Sequence, residues 1–117
     1  SKPLLKLIEQ ITGKKFNGIT GFFSSCYEQG DFLSKHRDRD DELVFIFYLT
    51  KNWQNDWGGE FEFSEMNSPN SIYSFPPGFN QLFLFSAVDM PDSIYHEVKM
   101  ISENACEKRI AFTGAFK

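Results

Sequence analysis

Hydrophobic positions change their period once along this chain. Over Pro3 to Ile11, apolar side chains recur at Leu4, Leu7, Ile8 and Ile11, a helical spacing, with Pro3 suited to open a first turn and Gly13 to close the last. From Ile19 onward the pattern becomes short runs of aromatic and β-branched residues separated by Gly, Pro, Asn and Asp, the signature of an all-β sandwich or barrel. The runs predict strands at Ile19–Tyr27, Phe32–Arg37, Leu43–Leu49, Glu60–Phe63, Gln81–Phe85, Tyr95–Ile101 and Lys108–Phe116. A brief edge strand at Tyr73–Phe75 falls inside the irregular, proline-bearing stretch Ser64 to Asn80. In the run Leu82–Phe85, Phe83 and Phe85 alternate with Leu82 and Leu84, as expected of a strand covered on both faces. Gly58 and Gly59 predict a tight bend or bulge before the strand at Glu60, with Trp53 and Trp57 flanking a polar turn. Many short strands behind one helix predict a mainly β fold, a jelly roll whose N-terminal helix packs on a sheet.

The chain has 117 residues, enough for one domain, and no repeat or linker divides it; residues 1–117 are expected to form a single catalytic domain. An apolar fraction of 41%, with 14 phenylalanines, supplies ample core. A net charge of −4 without a basic stripe argues against binding nucleic acid. The longest apolar runs, such as Leu43 to Leu49, are too short to cross a bilayer, so a membrane partner is not expected. Cys26 and Cys106 match no zinc or redox spacing, and reduced thiols in a cytoplasmic protein are the expectation.

The chain contains two histidines. The first lies in Ser34-Lys35-His36-Arg37-Asp38; on a strand, residues two apart share a face, so His36 and Asp38 can converge while Arg37 turns away. The second lies in Ile94-Tyr95-His96-Glu97-Val98, where a neighbouring strand could bring it beside the first pair. Two imidazoles and one carboxylate leave coordination positions open, which suits nonhaem Fe(II), although the same donors serve catalytic zinc. The string is weak taken alone: with 16 acidic residues in 117, roughly one histidine in seven has an acidic residue two places on by chance. Residues Arg37 to Asp41 also read as a solvated charged loop. Arg109 adds a second signal. Strand alternation places Arg109, Ala111 and Thr113 on one face, and a guanidinium aimed into a barrel fits a carboxylate, whereas the plain alternative is a surface arginine.

Taken in order, these segments resemble the prolyl-hydroxylase-type branch of the Fe(II)/2-oxoglutarate-dependent dioxygenases, from about Phe22 to Phe116. The resemblance is carried by the run from Cys26-Tyr27 to His36-Arg37-Asp38, by Phe47-Tyr48-Leu49-Thr50-Lys51-Asn52-Trp53 and Trp57-Gly58-Gly59-Glu60-Phe61, and by Phe83-Leu84-Phe85, His96-Glu97-Val98 and Arg109 to Gly114. It implies the double-stranded β-helix form of the jelly roll. It implies that His36, Asp38 and His96 hold iron, that Arg109 pairs with the distal carboxylate of 2-oxoglutarate, and that Tyr48 helps hold that carboxylate. Tyr27 matches a tyrosine at the mouth of the pocket, and alternation adds Thr113 as a further cosubstrate contact. Where many relatives carry Ser or Thr two residues beyond the arginine, this chain has Ala111. Relatives of this kind carry more N-terminal structure, so a minimal catalytic core is expected. The implied reaction consumes O2 and 2-oxoglutarate, releases succinate and CO2, and hydroxylates a C–H bond, with a prolyl residue in a peptide or protein as the expected substrate. Ascorbate is the accessory reductant that the resemblance allows. The alternatives are a dioxygenase acting on a free amino acid or other small molecule, and a noncatalytic jelly-roll binding module.

Overall fold

A computed structural model describes residues 2–37, 43–87 and 89–117. Among them the chain forms one α-helix, α1 (Lys2–Thr12), a 3-10 turn (Asn55–Trp57) and eight strands. The strands are β1 (Ile19–Tyr27), β2 (Leu33–His36), β3 (Leu43–Tyr48), β4 (Phe61–Glu65), β5 (Tyr73–Phe75), β6 (Leu82–Phe85), β7 (Ile94–Val98) and β8 (Arg109–Phe116). They build two four-stranded antiparallel sheets with the orders β1-β8-β3-β6 and β2-β7-β4-β5. Apart from β4 and β5, which pair within the second sheet, consecutive strands alternate between the facing sheets, as in the double-stranded β-helix expected from the sequence.

The inner faces meet in one core. Val44, Ile46 and Tyr48 of β3, Phe85 of β6, and Ala111 and Ala115 of β8 pack against Phe61 and Phe63 of β4 and Val98 of β7. Phe61 and Phe63 are 4% exposed, and each contributes roughly 1.5–3 kcal/mol through burial. On the outer face of the first sheet, Ile8 of α1 packs with Phe16, Leu43, Phe45 and Phe116, joined by Leu4, Leu5, Leu82 and Leu84. Strand β6 is therefore covered on both sides, Phe85 inward and the two leucines toward the helix, as its alternation predicts.

The helix differs from expectation in its rotation. Leu4, Leu5 and Ile8 meet the sheet, whereas Leu7 and Ile11 are 48% and 59% exposed. A narrow stripe, one residue wide at most turns, suffices because the helix rests on only part of the sheet. Its C-terminus is closed by Gly13 at φ 71°, whose N–H donates to Glu9 O at 2.9 Å. Strand β7 also ends at Val98 and not at Ile101. Beyond it, Lys99 N bonds Glu60 O and Ile101 N bonds Asp31 O, so residues 99–101 leave the ladder to tie down two loops. No helix among the described residues is long and apolar enough to cross a membrane, and both cysteines are free and exposed.

Candidate active site

Strand β2 is short and irregular, and the irregularity places a histidine. Leu33 is paired with Val98, and an unbroken antiparallel ladder would then set His36 opposite Tyr95. Instead His36 pairs with His96, so one residue is bulged between the two positions. Because side chains alternate faces with period two, this slip turns His36 from the outer face to the inner one. Both Leu33 and His36 consequently line the same open pocket, of about 180 Å³, together with His96 and Thr113. The two imidazole centroids lie 4.1 Å apart at an interplanar angle of 71°. His96 is 6% exposed and is walled by Phe61, Phe63 and Phe85, whose ring centres stand at 5.3, 6.1 and 5.2 Å from its own. His36 Nδ1 lies 2.8 Å from Ser34 O, a contact that orients the ring within its own strand.

This pair fits a metal. Two imidazole nitrogens that occupy adjacent positions about 2 Å from one cation come from neighbouring rings, and these two centroids stand 4.1 Å apart. The third expected ligand, Asp38, lies outside the described residues; among those described, no group of three or more His, Cys, Asp or Glu donors converges.

A second polar group occupies the inner face at the start of β8. Arg109 is 2% exposed, yet no carboxylate among the described residues stands within ion-pair distance of it. Its Nε donates to Gly59 O at 2.9 Å, and its Nη2 lies 3.5 Å from the Tyr48 hydroxyl, at the outer limit of a hydrogen bond. The guanidinium also rests over the rings of Tyr27 and Tyr48, 5.2 and 5.1 Å from their centres. The register explains the grouping: Tyr27 is the cross-strand partner of Arg109 on β1, and Tyr48 that of Ala111 on β3. Ala111 is fully buried, and its small side chain leaves the Tyr48 ring room beside the arginine. Burial pushes the Arg109 pKa down, opposed by Tyr48, Tyr27 and more distant Glu60. Burial likewise pushes both tyrosine hydroxyls up, with Arg109 opposing, so they remain protonated donors at neutral pH.

Nη1 has no hydrogen-bond partner among the described residues, and no sealed side-chain N or O is left unpaired there, so this corner of the guanidinium borders accessible space. A desolvated cation held only by neutral groups retains the capacity to pair with an anion. Thr113 shares the inner face with Arg109, but it lines the histidine cavity, whereas Arg109 does not. They stand four positions apart, about 13 Å along β8. The structure thus brings His36, His96 and Thr113 together and separately groups Arg109 with Tyr27 and Tyr48.

The two glycines do more than turn the chain. Gly58 and Gly59 have φ of 73° and 75°. A Cβ on Gly58 would stand 2.1 Å from Met100 O, and one on Gly59 would meet Ile101 Cδ1 at 2.9 Å, Arg109 Cδ at 3.1 Å and Trp53 Cζ2 at 3.1 Å. Trp53 Nε1 donates to Gly58 O at 2.9 Å. The Trp53 and Gly58-Gly59 segment is therefore the cradle of Arg109. Its glycines announce a bend in the sequence, but nothing there says which side chain the bend receives.

A 2OG-Fe(II) oxygenase superfamily model matches residues 22–117, and the chain belongs to that superfamily. Its fold is that of the prolyl-hydroxylase-like branch. A prolyl-4-hydroxylase from Pseudomonas putida superposes with a TM-score of 0.73 at 22% identity, over 99% of this chain and 60% of that one. A Trichoplax adhaerens prolyl hydroxylase, solved with a peptide fragment of the hypoxia inducible factor oxygen degradation domain, gives 0.73 at 25% identity, over 98% of this chain and 53% of that one. The viral collagen prolyl hydroxylase of Paramecium Bursaria Chlorella virus-1, in complex with 2OG, gives 0.61 at 17% identity, over 98% and 71%. The chain thus spans between half and three fifths of the first two relatives. No curated protein matches it in sequence.

Proposed function

We propose that this chain is the catalytic core of a hydroxylase that uses Fe(II), 2-oxoglutarate and O2 to convert a C–H bond, of a prolyl residue in a peptide or protein, into C–OH. The observation that carries the reading is Arg109, a buried guanidinium with only neutral partners and one open corner, on the same barrel interior as the paired histidines. In this reading His36 and His96, with Asp38, hold the metal. Arg109 takes the distal carboxylate of the cosubstrate, with the Tyr48 hydroxyl as a neutral second donor. When bound, iron and 2-oxoglutarate together supply oxygen activation, with succinate and CO2 as co-products.

The chain's own contribution is placement and exclusion of water. Phe61, Phe63 and Phe85 surround His96 and keep its ring in one orientation. Tyr27 and Tyr48 screen the guanidinium with aromatic faces, so its charge is expressed toward the open corner and not dissipated in solvent. Thr113 lines the histidine cavity and offers a hydroxyl there. The peptide bound by the Trichoplax relative and the collagen named for the viral relative support a proline-containing polypeptide as substrate. Anaerobic titration with Fe(II) and 2-oxoglutarate, followed by an O2-dependent succinate assay with a proline-containing peptide, tests the proposal. Metal-dependent cosubstrate binding is expected, and its absence in folded protein refutes the oxygenase reading. Succinate without peptide hydroxylation would refute only the substrate.

A further inference from the structure

The bulge that turns His36 inward has to be held, since a strand with an extra residue gives up regular ladder bonds at that point. The two residues flanking His36 are both cations, and each ends on backbone carbonyls of a different turn. Lys35 Nζ reaches across the outer side to the turn after β4, donating to Glu65 O at 2.8 Å, Ser68 O at 3.0 Å and Met66 O at 3.3 Å. Arg37 Nη1 donates to the Pro91 carbonyl and to Ile94 O, the latter at 2.8 Å, and its Nη2 lies 3.5 Å from Asp92 Oδ1. Those carbonyls lie in the turn that feeds β7 and at the first residue of β7, five and two residues before His96. The Arg37 side chain is 14% exposed against 108% for Asp92, so the carbonyls and not the surface ion pair define its position.

We infer that Lys35 and Arg37 are positioning residues for the histidine pair: they lock the bulged register of β2 and tie the His36 strand to the turn that launches His96. Without them, the one-residue slip is free to revert, and reversion moves His36 to the outer face. Backbone carbonyls suit this task because their positions are fixed by the turns themselves, which side-chain acceptors would not guarantee. The consequence for metal binding rests on the reading of His36 and His96 as ligands; the consequence for ring placement does not.

The test uses both levels. The chain has two histidines, so an inter-ring nuclear Overhauser effect in metal-free protein reports the contact directly. It should be present in the wild type and in Lys14→Ala, which cuts the Lys14–Asp89 bridge to the same loop region, and lost or weakened in Arg37→Ala and Lys35→Met. Arg37→Lys should restore part of it, since Lys35 shows that an ammonium can hold a set of carbonyls. Titration with Co(II) alone should then show about 10–100-fold weaker binding for Arg37→Ala than for wild type. Should Arg37→Ala fail to fold, Arg37→Lys and Lys35→Met carry the comparison. An unchanged ring contact in folded Arg37→Ala, or in folded Lys35→Met, overturns the inference. If the wild type shows the ring contact but binds no Co(II), the metal assignment fails while the positioning role stands.

Discussion

Replacing Arg109 with methionine separates a binding role from a structural one. The guanidinium is 2% exposed and its hydrogen-bonding partners are Gly59 O and, weakly, the Tyr48 hydroxyl. Loss of a buried charge-assisted pair with a ligand carboxylate costs about 2–5 kcal/mol, and a value in the lower half of that range, about 3, is a loss of roughly 150-fold in affinity. In the ligand-free protein the balance differs. Methionine forfeits the bond to Gly59 O, worth about 1.5–3 kcal/mol, but also removes the desolvation of an unpaired cation, which is of several kcal/mol. Free stability should therefore fall by no more than about 1 kcal/mol. With Mn(II) as a redox-silent metal and 2-oxoglutarate at about 100 times its wild-type Kd, binding stabilises the wild type by about 2.7 kcal/mol. For a domain of this size that is an upward shift of roughly 10 °C in Tm. A 150-fold weaker variant retains about 0.3 kcal/mol, or roughly 1 °C. Thermal unfolding with and without cosubstrate measures both quantities. The reasoning fails if Arg109→Met keeps most of the ligand-induced shift, or if its ligand-free form loses more than about 3 kcal/mol, which would make Arg109 a structural residue.

Gly59→Ala should destabilise by roughly 2–4 kcal/mol, from left-handed backbone strain at φ 75° plus contacts as short as 2.9 Å, and should weaken 2-oxoglutarate binding because one of those contacts is Arg109 Cδ; denaturant unfolding and cosubstrate titration check the two effects. Tyr48→Phe removes a neutral donor next to the guanidinium, so cosubstrate affinity should fall by about 3- to 10-fold with a stability loss near 1 kcal/mol, and an unchanged dissociation constant would remove Tyr48 from the site. The same variant has a pH signature. A hydroxyl whose folded pKa is raised contributes stability that is complete below the ordinary tyrosine value of about 10 and is lost as pH rises through the folded value, so the alkaline fall in stability should be shallower in Tyr48→Phe. Phe61→Ala empties space beside His96 and between the sheets; a loss of about 3–5 kcal/mol is expected by denaturant unfolding.

Local pattern was sufficient for the elements of this fold. Short runs of aromatic and β-branched residues bounded by turn residues marked the strands, with Tyr73–Phe75 as a brief edge strand, because such side chains fit a pleated, half-buried surface. Alternation also set Arg109, Ala111 and Thr113 on one face of β8, and the order of the segments carried the family resemblance. What local pattern does not encode is which face of a short element meets which neighbour. The helix shows this, since Leu7 and Ile11 fit the stripe by period but lie beyond the sheet that the helix covers. His36 shows it more sharply. Its inward direction depends on a bulge set by the pairing of β2 with β7, a nonlocal register that the string Lys35-His36-Arg37 does not reveal. The same holds for Arg37, for which a solvated loop was the plain alternative and which instead reaches carbonyls 54 and 57 residues distant, and for Gly59, whose carbonyl finds Arg109 50 residues on. Residue types, strand periods and the chemistry on offer are local properties and were legible in the order of the residues. Their convergence is not local, because register and facing are settled by contacts between segments far apart in the chain.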